Sequence, residues 1–354
     1  MSCKHPLKAF KIGVNEKTGH DKLKITSYDI DHIELVGDTW IPVPDSFYST
    51  QAKRSVKKYT EIPCGQCIAC RLQYSRDWAF RILLDMQKYG KGYFITLTYD
   101  DDHLPSHVVP EFVDSQGEIH NNVTLHSLVK KDLQDFMKSL RYYLGTDHIR
   151  FYACGEYGDL SARPHYHIIV WNCNIPDLKH YKSEYVGDIY CEYFNSELIQ
   201  KAWKNKGYCV IGDADFNSIA YVSRYVTKKL KGVQREFYDR NNLVPEFCTM
   251  SRKPGIASDY FDEVFYPGNG FSKSSIFLST NTKSISGNIP RYFKKKLEQI
   301  DEECYNDYKI RNQLQAEISK SIKMSKTSLN YLDQLANEEE ILKKKLKILD
   351  RSEI

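Results

Sequence analysis

Three short β-branched and aromatic runs, interrupted once by a helical pattern, restrict this chain more than any other feature. YFITLTY (93–99), HIRFYAC (148–154) and HYHIIVW (165–171) read as strands. Between the first two, Leu125, Leu128, Leu133, Phe136, Met137, Leu140 and Leu144 trace one face of a helix. A helix near 195–206, a short strand YCVIG (208–212) and a helix at roughly 216–231 follow. The order strand, helix, strand, strand, helix, strand is that of a split βαβ sheet, which predicts a ferredoxin-like α+β core with an antiparallel sheet.

With 354 residues there is room for one large or two modest domains. Residues 1–62 show no clear period. From Cys64 to Lys88, Leu72, Trp78, Ile82 and Met86 recur at helical spacing. Residues 100–123, with Pro105, Pro110 and Gly117, read as a polar loop. After Pro290 the chain is rich in Lys and Glu, and Leu335, Leu342 and Leu349 stand seven apart, with Leu332 and Leu346 nearby. That spacing fits a short coiled coil or a helix packed on its own domain; Glu339 interrupts the seam. These shifts divide the chain into four: 1–90, a cysteine-bearing segment with a helix; 91–235, the core; 236–290, an irregular extension; and 291–354, a helical tail.

The formal net charge is only +4, so any nucleic-acid surface must come from local clusters such as Lys53, Arg54, Lys57 and Lys58. No run of about eighteen apolar residues is present, which predicts no membrane span. The opening MSCKHPLKAF lacks the apolar stretch of a signal peptide. Most of the 26 tyrosines are expected to be structural.

Within HYHIIVW, His165 and His167 project to one face of the strand and Tyr166 to the other. Two imidazoles about 7 Å apart along a strand can converge on one divalent ion. An unadorned His-x-His is more often two ordinary histidines in a half-buried strand. Here Glu156 precedes the pair, in CGEYG at the end of the neighbouring strand. If those strands pair antiparallel, Glu156 returns beside His165, and two imidazoles with a carboxylate suit Mg²⁺ or Mn²⁺ with open positions for phosphate oxygens. Imidazole also suits zinc.

Residues 221–229 read YVSRYVTKK. On a helix Tyr221 and Tyr225 share a face, and Arg224 and Lys228 share a neighbouring one. A tyrosine can attack phosphorus and form an ester, and a cation can stabilise charge on the phosphate. Alone, the pattern is also that of any amphipathic helix with aromatic packing.

Cys64, Cys67 and Cys70 stand at helical spacing, one thiolate short of a closed tetrahedral zinc site, with Cys3 the best fourth ligand. An iron–sulfur cluster and reduced, metal-free cysteines are the alternatives. Such a site, next to Arg71 and Arg76, would present a basic helix to DNA.

Taken together, FITLTYDD (94–101), RPHYHIIVW (163–171) and YVSRYVTKK (221–229) resemble, in kind and order, the motifs of the HUH superfamily of rolling-circle replication initiators. The likeness is closer to the initiators of single-stranded DNA microviruses, the gokushovirus branch in particular. Those carry a run like PCGQCIACR (63–71) upstream and a CGEYG-like segment before the histidines, and IPRYFKKKL (289–297) is also similar. Two departures stand out: Tyr166 replaces an aliphatic residue between the histidines, and Arg224 replaces a lysine.

The resemblance implies that Tyr221 or Tyr225 attacks the scissile phosphate at an origin on single-stranded or supercoiled replicative-form DNA. The protein then becomes joined to the 5′ phosphate, and a 3′ hydroxyl is freed for the host polymerase, with the host helicase as a second expected partner. It implies His165, His167 and Glu156 as ligands of Mg²⁺ or Mn²⁺, Lys228 or Arg224 as the group at the leaving oxygen, and the bacterial cytoplasm as the compartment. Arg71, Arg76, Thr96, Thr98 and Lys229 are the candidate DNA contacts. An HUH relaxase or transposase, or a non-catalytic zinc-bearing DNA-binding protein, is the competing expectation. A histidine-triad hydrolase would need histidine where Ile169 stands, and no GxxxxGK[ST] phosphate loop is visible.

Overall fold

The computed structural model describes residues 3–17, 19–44, 52–113, 117–158, 161–186, 189–224, 233–279 and 284–351. Along the chain run β1 (Leu7–Val14), β2 (Asp21–Thr26), β3 (Ile30–Val36), β4 (Thr39–Pro44), β5 (Arg54–Val56), β6 (Tyr59–Ile62), α1 (Ile68–Tyr89) and β7 (Gly92–Thr98). The antiparallel pair β8 (Ser106–Val113) and β9 (Ile119–His126) follows, then α2 (Lys130–Leu144), β10 (Arg150–Tyr157) and β11 (Pro164–Trp171). Next come β12 (Lys179–Val186), β13 (Ile189–Asn195), α3 (Glu197–Ala202), β14 (Cys209–Asp213), α4 (Phe216–Arg224) and α5 (Val233–Arg240). The last elements are β15 (Phe247–Met250), α6 (Ser258–Tyr260), β16 (Ser275–Ser279), β17 (Ser284–Asn288), α7 (Arg291–Ile300), α8 (Glu302–Met324) and α9 (Tyr331–Arg351). The fold is α+β with antiparallel sheets, as expected. The chain forms two compact units, one of residues 1–73 with 316–354 and one of residues 74–315.

The second unit is built on a seven-stranded sheet in the order β12-β13-β14-β7-β11-β10-β15, every adjacent pair antiparallel. Its middle four strands stand as fourth, first, third and second of the strand–helix–strand–strand–helix–strand series. Strands β7 and β10, joined through α2, therefore run parallel with β11 between them. Alternate side chains make two cores. Ile95, Leu97, Ala153, Tyr166, Ile168 and Val170 pack on one face against Leu133, Phe136, Met137 and Leu140 of α2 and Ile199 and Ala202 of α3. On the other face Tyr152, Cys154, Ile169 and Trp171 pack against Ala79 and Ile82 of α1 and Ile219 and Val222 of α4. Each such fully buried aliphatic side chain stabilises by about 1.5–3 kcal/mol. Helix α2 ends where Gly145 takes a left-handed conformation (φ 64°), and its amide donates to the Tyr142 carbonyl.

Three stretches differ from the sequence reading. Residues 100–123, read as a loop, hold strand β8 and the start of β9; that antiparallel pair is largely exposed, so it lacks the apolar alternation that would reveal it. Residues 236–290, read as irregular, supply β15 to the edge of the main sheet. They also supply Phe261, Phe265 and Phe271, which pack with Phe80 and Leu84 of α1 and Phe293 of α7 in an aromatic core. Residues 1–62, without evident period, fold in the first unit as two three-stranded sheets, β2-β1-β6 and β4-β3-β5. Helix α9 packs within that first unit: Leu335 is buried and Tyr331 donates to Glu61 across 2.7 Å. Among the described residues no helix is long and apolar enough to cross a membrane.

Asp85 ties α1 to the sheet. Its carboxylate accepts from Arg150 on β10, from Trp171 Nε1 at 2.9 Å on β11, and from the Ala257 amide at 2.6 Å. Asp85 and Arg150 are both buried, at 1% and 6% exposure. Asp85→Ala strands a buried guanidinium and is expected to cost about 3–5 kcal/mol. Urea unfolding followed by tryptophan fluorescence measures this, and a loss below about 1 kcal/mol, the size of an ordinary surface change, would contradict it.

Candidate active site

Strand pairing, not chain proximity, assembles the histidine cluster. In the antiparallel register of β10 with β11, Glu156 stands opposite His165 and Cys154 opposite His167. On the other side of β11, Thr98 faces His165 and Thr96 faces His167. Directly paired residues share a face, so Glu156, both imidazoles and both threonines project toward the layer that holds α1 and α4. Gly155 leaves room on the opposite face, where a Cβ would meet the Leu128 and Phe247 side chains at 2.9 Å and one of them would have to shift.

The ligand atoms converge. His165 Nε2 is 2.7 Å and His167 Nε2 2.8 Å from the same Glu156 oxygen, Oε1. His165 Nδ1 lies 3.1 Å from the Arg163 carbonyl, which only accepts, so Nδ1 carries the proton. In the neutral ring, Nε2 then aims a lone pair at a carboxylate oxygen. A divalent cation could satisfy all three atoms at once without charging an imidazole. Glu156 is 2% exposed. Burial raises its pKa, but the His165 and His167 rings against the carboxylate outweigh this and hold it below the ordinary carboxylate value.

His167 is fixed on every side. Its Nδ1 lies 3.0 Å from Thr96 Oγ1, its ring stacks on Phe94 with centroids 5.4 Å apart, and its edge meets Tyr221 at 5.3 Å. Thr96, a candidate DNA contact by sequence, thus has its hydroxyl on the imidazole. Phe94 is absent from the residues singled out by sequence. The period of two that links Thr96 to the site face also places Phe94 there, so alternation is the signal that could have found it. Thr96→Val is expected to loosen the ring and weaken divalent-ion binding about 10–100-fold with the fold intact. Calorimetric titration with Mn²⁺ tests this, and unchanged affinity would show that Thr96 does not orient His167.

Helix α4 brings Tyr221 to the cluster. Asp215 and Ser218 form a reciprocal cap at its start, each amide donating to the other's side chain at 2.9 and 2.7 Å. Ile219 and Val222 are buried, and Ser75 of α1 donates to the Ala220 carbonyl at 3.1 Å. This sets Tyr221 beside His167 and Phe94, half-buried at the sheet surface. Tyr225, Lys228 and Lys229 lie outside the described residues, and so does the side chain of Arg224.

The other candidates are more scattered. Thr98 Oγ1 donates to the Tyr208 carbonyl at 3.2 Å. Arg71 and Arg76 are exposed on α1. Cys3, Cys64, Cys67 and Cys70 come together in the first unit, their sulfurs all within 4.8 Å of one another. Burial pushes the Cys3 thiol up to about 11. Burial works the same way on Cys67, but the Lys4 amide and the neighbouring thiols bring it down to about 6.

Residues 92–230 match the family model for the ORF2 type of replication-associated protein. Over 99% of its length the chain is 29% identical to replication-associated protein ORF2 of Spiroplasma virus 4, covering 98% of that protein. It is 28% identical to replication-associated protein VP4 of Bdellovibrio phage phiMH2K, with 83% of this chain and 84% of that one aligned. Replication-associated protein ORF4 of Chlamydia phage 1 is 28% identical over 74% of this chain and 61% of its own length. No solved structure matches. The likeness to phage replication-associated proteins, read from the motifs, is thus found along nearly the whole chain.

Proposed function

We propose that this chain, similar throughout to phage replication-associated proteins, nicks and rejoins single-stranded DNA through a covalent 5′-phosphotyrosine, as a rolling-circle initiator of the HUH type. The observation that carries the reading is the convergence of Glu156, His165 and His167 beside Tyr221. The order β14-β7-β11-β10 supports it, being that of a ferredoxin-like split βαβ core.

Glu156 Oε1 and the Nε2 atoms of His165 and His167 would hold the ion; two nitrogens and one oxygen suit Mn²⁺ somewhat better than Mg²⁺. When bound, such an ion supplies charge that polarises the phosphate oxygens. Thr96 and Phe94 orient His167, and the Arg163 carbonyl sets the His165 tautomer. The Tyr221 or Tyr225 hydroxyl gives up its proton and attacks phosphorus. The bond from phosphorus to the 3′ oxygen breaks, the 5′ phosphate stays on the tyrosine, and the 3′ oxygen takes a proton, with Lys228 or Arg224 beside it. Attack by the second tyrosine on the regenerated origin then lets the freed 3′ hydroxyl displace the first tyrosine and close the circle. The setting is the cytoplasm of a bacterial host, with origin DNA and the host helicase and polymerase as partners.

The test is incubation with Mn²⁺ and single-stranded oligonucleotides tiling the cognate replicon. A protein–DNA conjugate is expected, with mass spectrometry locating the phosphodiester on Tyr221 or Tyr225. DNA that is bound but never cut or joined would reject the reading in favour of a non-catalytic DNA-binding protein.

A further inference from the structure

The four cysteines lie in the first unit, outside the histidine site, and the nicking chemistry makes no use of them. We propose that Cys3, Cys64, Cys67 and Cys70 together bind one structural zinc ion, which fastens the start of the chain to the foot of α1. Cys3 Sγ is 3.5 Å from Cys64 Sγ and 3.9 Å from Cys67 Sγ. A disulfide requires about 2.05 Å, so these are not bonded pairs. Sulfurs placed tetrahedrally around zinc at about 2.3 Å stand about 3.8 Å apart, close to the two Cys3 distances, and all four sulfurs lie within 4.8 Å of one another. A multinuclear iron–sulfur cluster spreads its cysteines over several irons and holds them further apart than this.

The backbone is arranged for thiolates. The Lys4 amide donates to Cys67 Sγ at 3.4 Å, and the Cys64 amide to Cys3 Sγ at 3.3 Å. Amides of Gln66 and Cys67 donate to Cys64 Sγ at 3.4 and 3.3 Å. Four amides aimed at sulfur favour the charged ligand over the neutral thiol. Gly65, at φ +73°, lets the 64–67 turn wrap so that these amides point inward. Each thiol loses its proton to solvent as the ion binds.

The site lies at the centre of contacts that hold the first unit. Just past Cys3, Lys4 pairs with Glu338 and His5 Nε2 lies 2.8 Å from Glu339, both on α9. Beyond them β1 pairs with β6, Leu7 opposite Ile62, just before Cys64. The ion would therefore hold the short lead-in to β1, the turn before α1 and, through Lys4 and His5, helix α9.

The test uses the full chain carrying His165→Ala and His167→Ala, so that the histidine site contributes no metal and failure here leaves the nicking reading untouched. Elemental analysis is expected to find about one zinc per chain, falling below about 0.2 when Cys3→Ser or Cys67→Ser is added and unchanged with Cys304→Ser. Tm is expected to fall by about 5 °C or more with the zinc. Should the serine variants fail to fold, stepwise mercurial titration of the parent chain is expected to release zinc as these thiols react, and cobalt in its place to show tetrahedral thiolate bands. A chain without metal, iron with acid-labile sulfide, or zinc that survives both Cys3→Ser and Cys67→Ser would overturn the proposal.

Discussion

A chain carrying Tyr221→Phe and Tyr225→Phe together is expected to form no covalent adduct with origin DNA while still binding it. The change removes two oxygen atoms and leaves both rings. Tyr221 would keep its edge contact with His167, so the helix and the histidine cluster should hold their places. What is lost is both of the hydroxyls proposed to form the ester, and the expected loss is on the order of 10⁴-fold or more. Each single variant keeps one hydroxyl and is expected to retain nicking but to lose the rejoining half of the cycle. Denaturing gels with labelled oligonucleotide read adduct, and fluorescence anisotropy reads binding. An adduct that persists in the double variant would place the nucleophile elsewhere.

Removal of the ion, or of either imidazole, is the second large effect. His167→Ala is expected to lower nicking about 10³-fold, the size of the several kcal/mol that a bound ion contributes to charge stabilisation. It also empties the space between Phe94 and Tyr221, so some misplacement of the tyrosine is expected with it. His165→Ala is the cleaner probe, because His165 is less buried and does not touch Phe94 or Tyr221 in the contacts described. Both should bind Mn²⁺ more weakly, and excess Mn²⁺ should rescue His165→Ala further than His167→Ala. Full nicking by the unaltered chain in excess chelator would remove the role assigned to Glu156, His165 and His167.

Several parts of this arrangement are legible in the sequence. A strand repeats every two residues, so His165 and His167 had to share a face, with Tyr166 on the other. Tyr166 is indeed buried in the opposite core, where its hydroxyl bonds to the Val129 backbone. The α2 face from Leu133 to Leu140 was equally plain, because an amphipathic helix writes its buried stripe into its own spacing. The expected return of Glu156 to His165 follows from a short loop between adjacent strands, and the register places the two directly opposite.

Other features had no local signature. Strands β8 and β9 are largely exposed, β15 is only four residues long, and β1 and β3 each bury three consecutive residues, so none writes a clear apolar period of two. The stacking of Phe94 on His167, the buried Asp85–Arg150 pair and the approach of Cys3 to Cys64 join residues far apart along the chain. Local sequence determined the order of elements, the face shared by the histidines and the spacing of the tyrosines and cysteines, because each depends on the geometry of one helix or strand. The neighbours of each such group are set in the folded molecule, because packing across a sheet is chosen by the whole set of competing contacts rather than by any one segment.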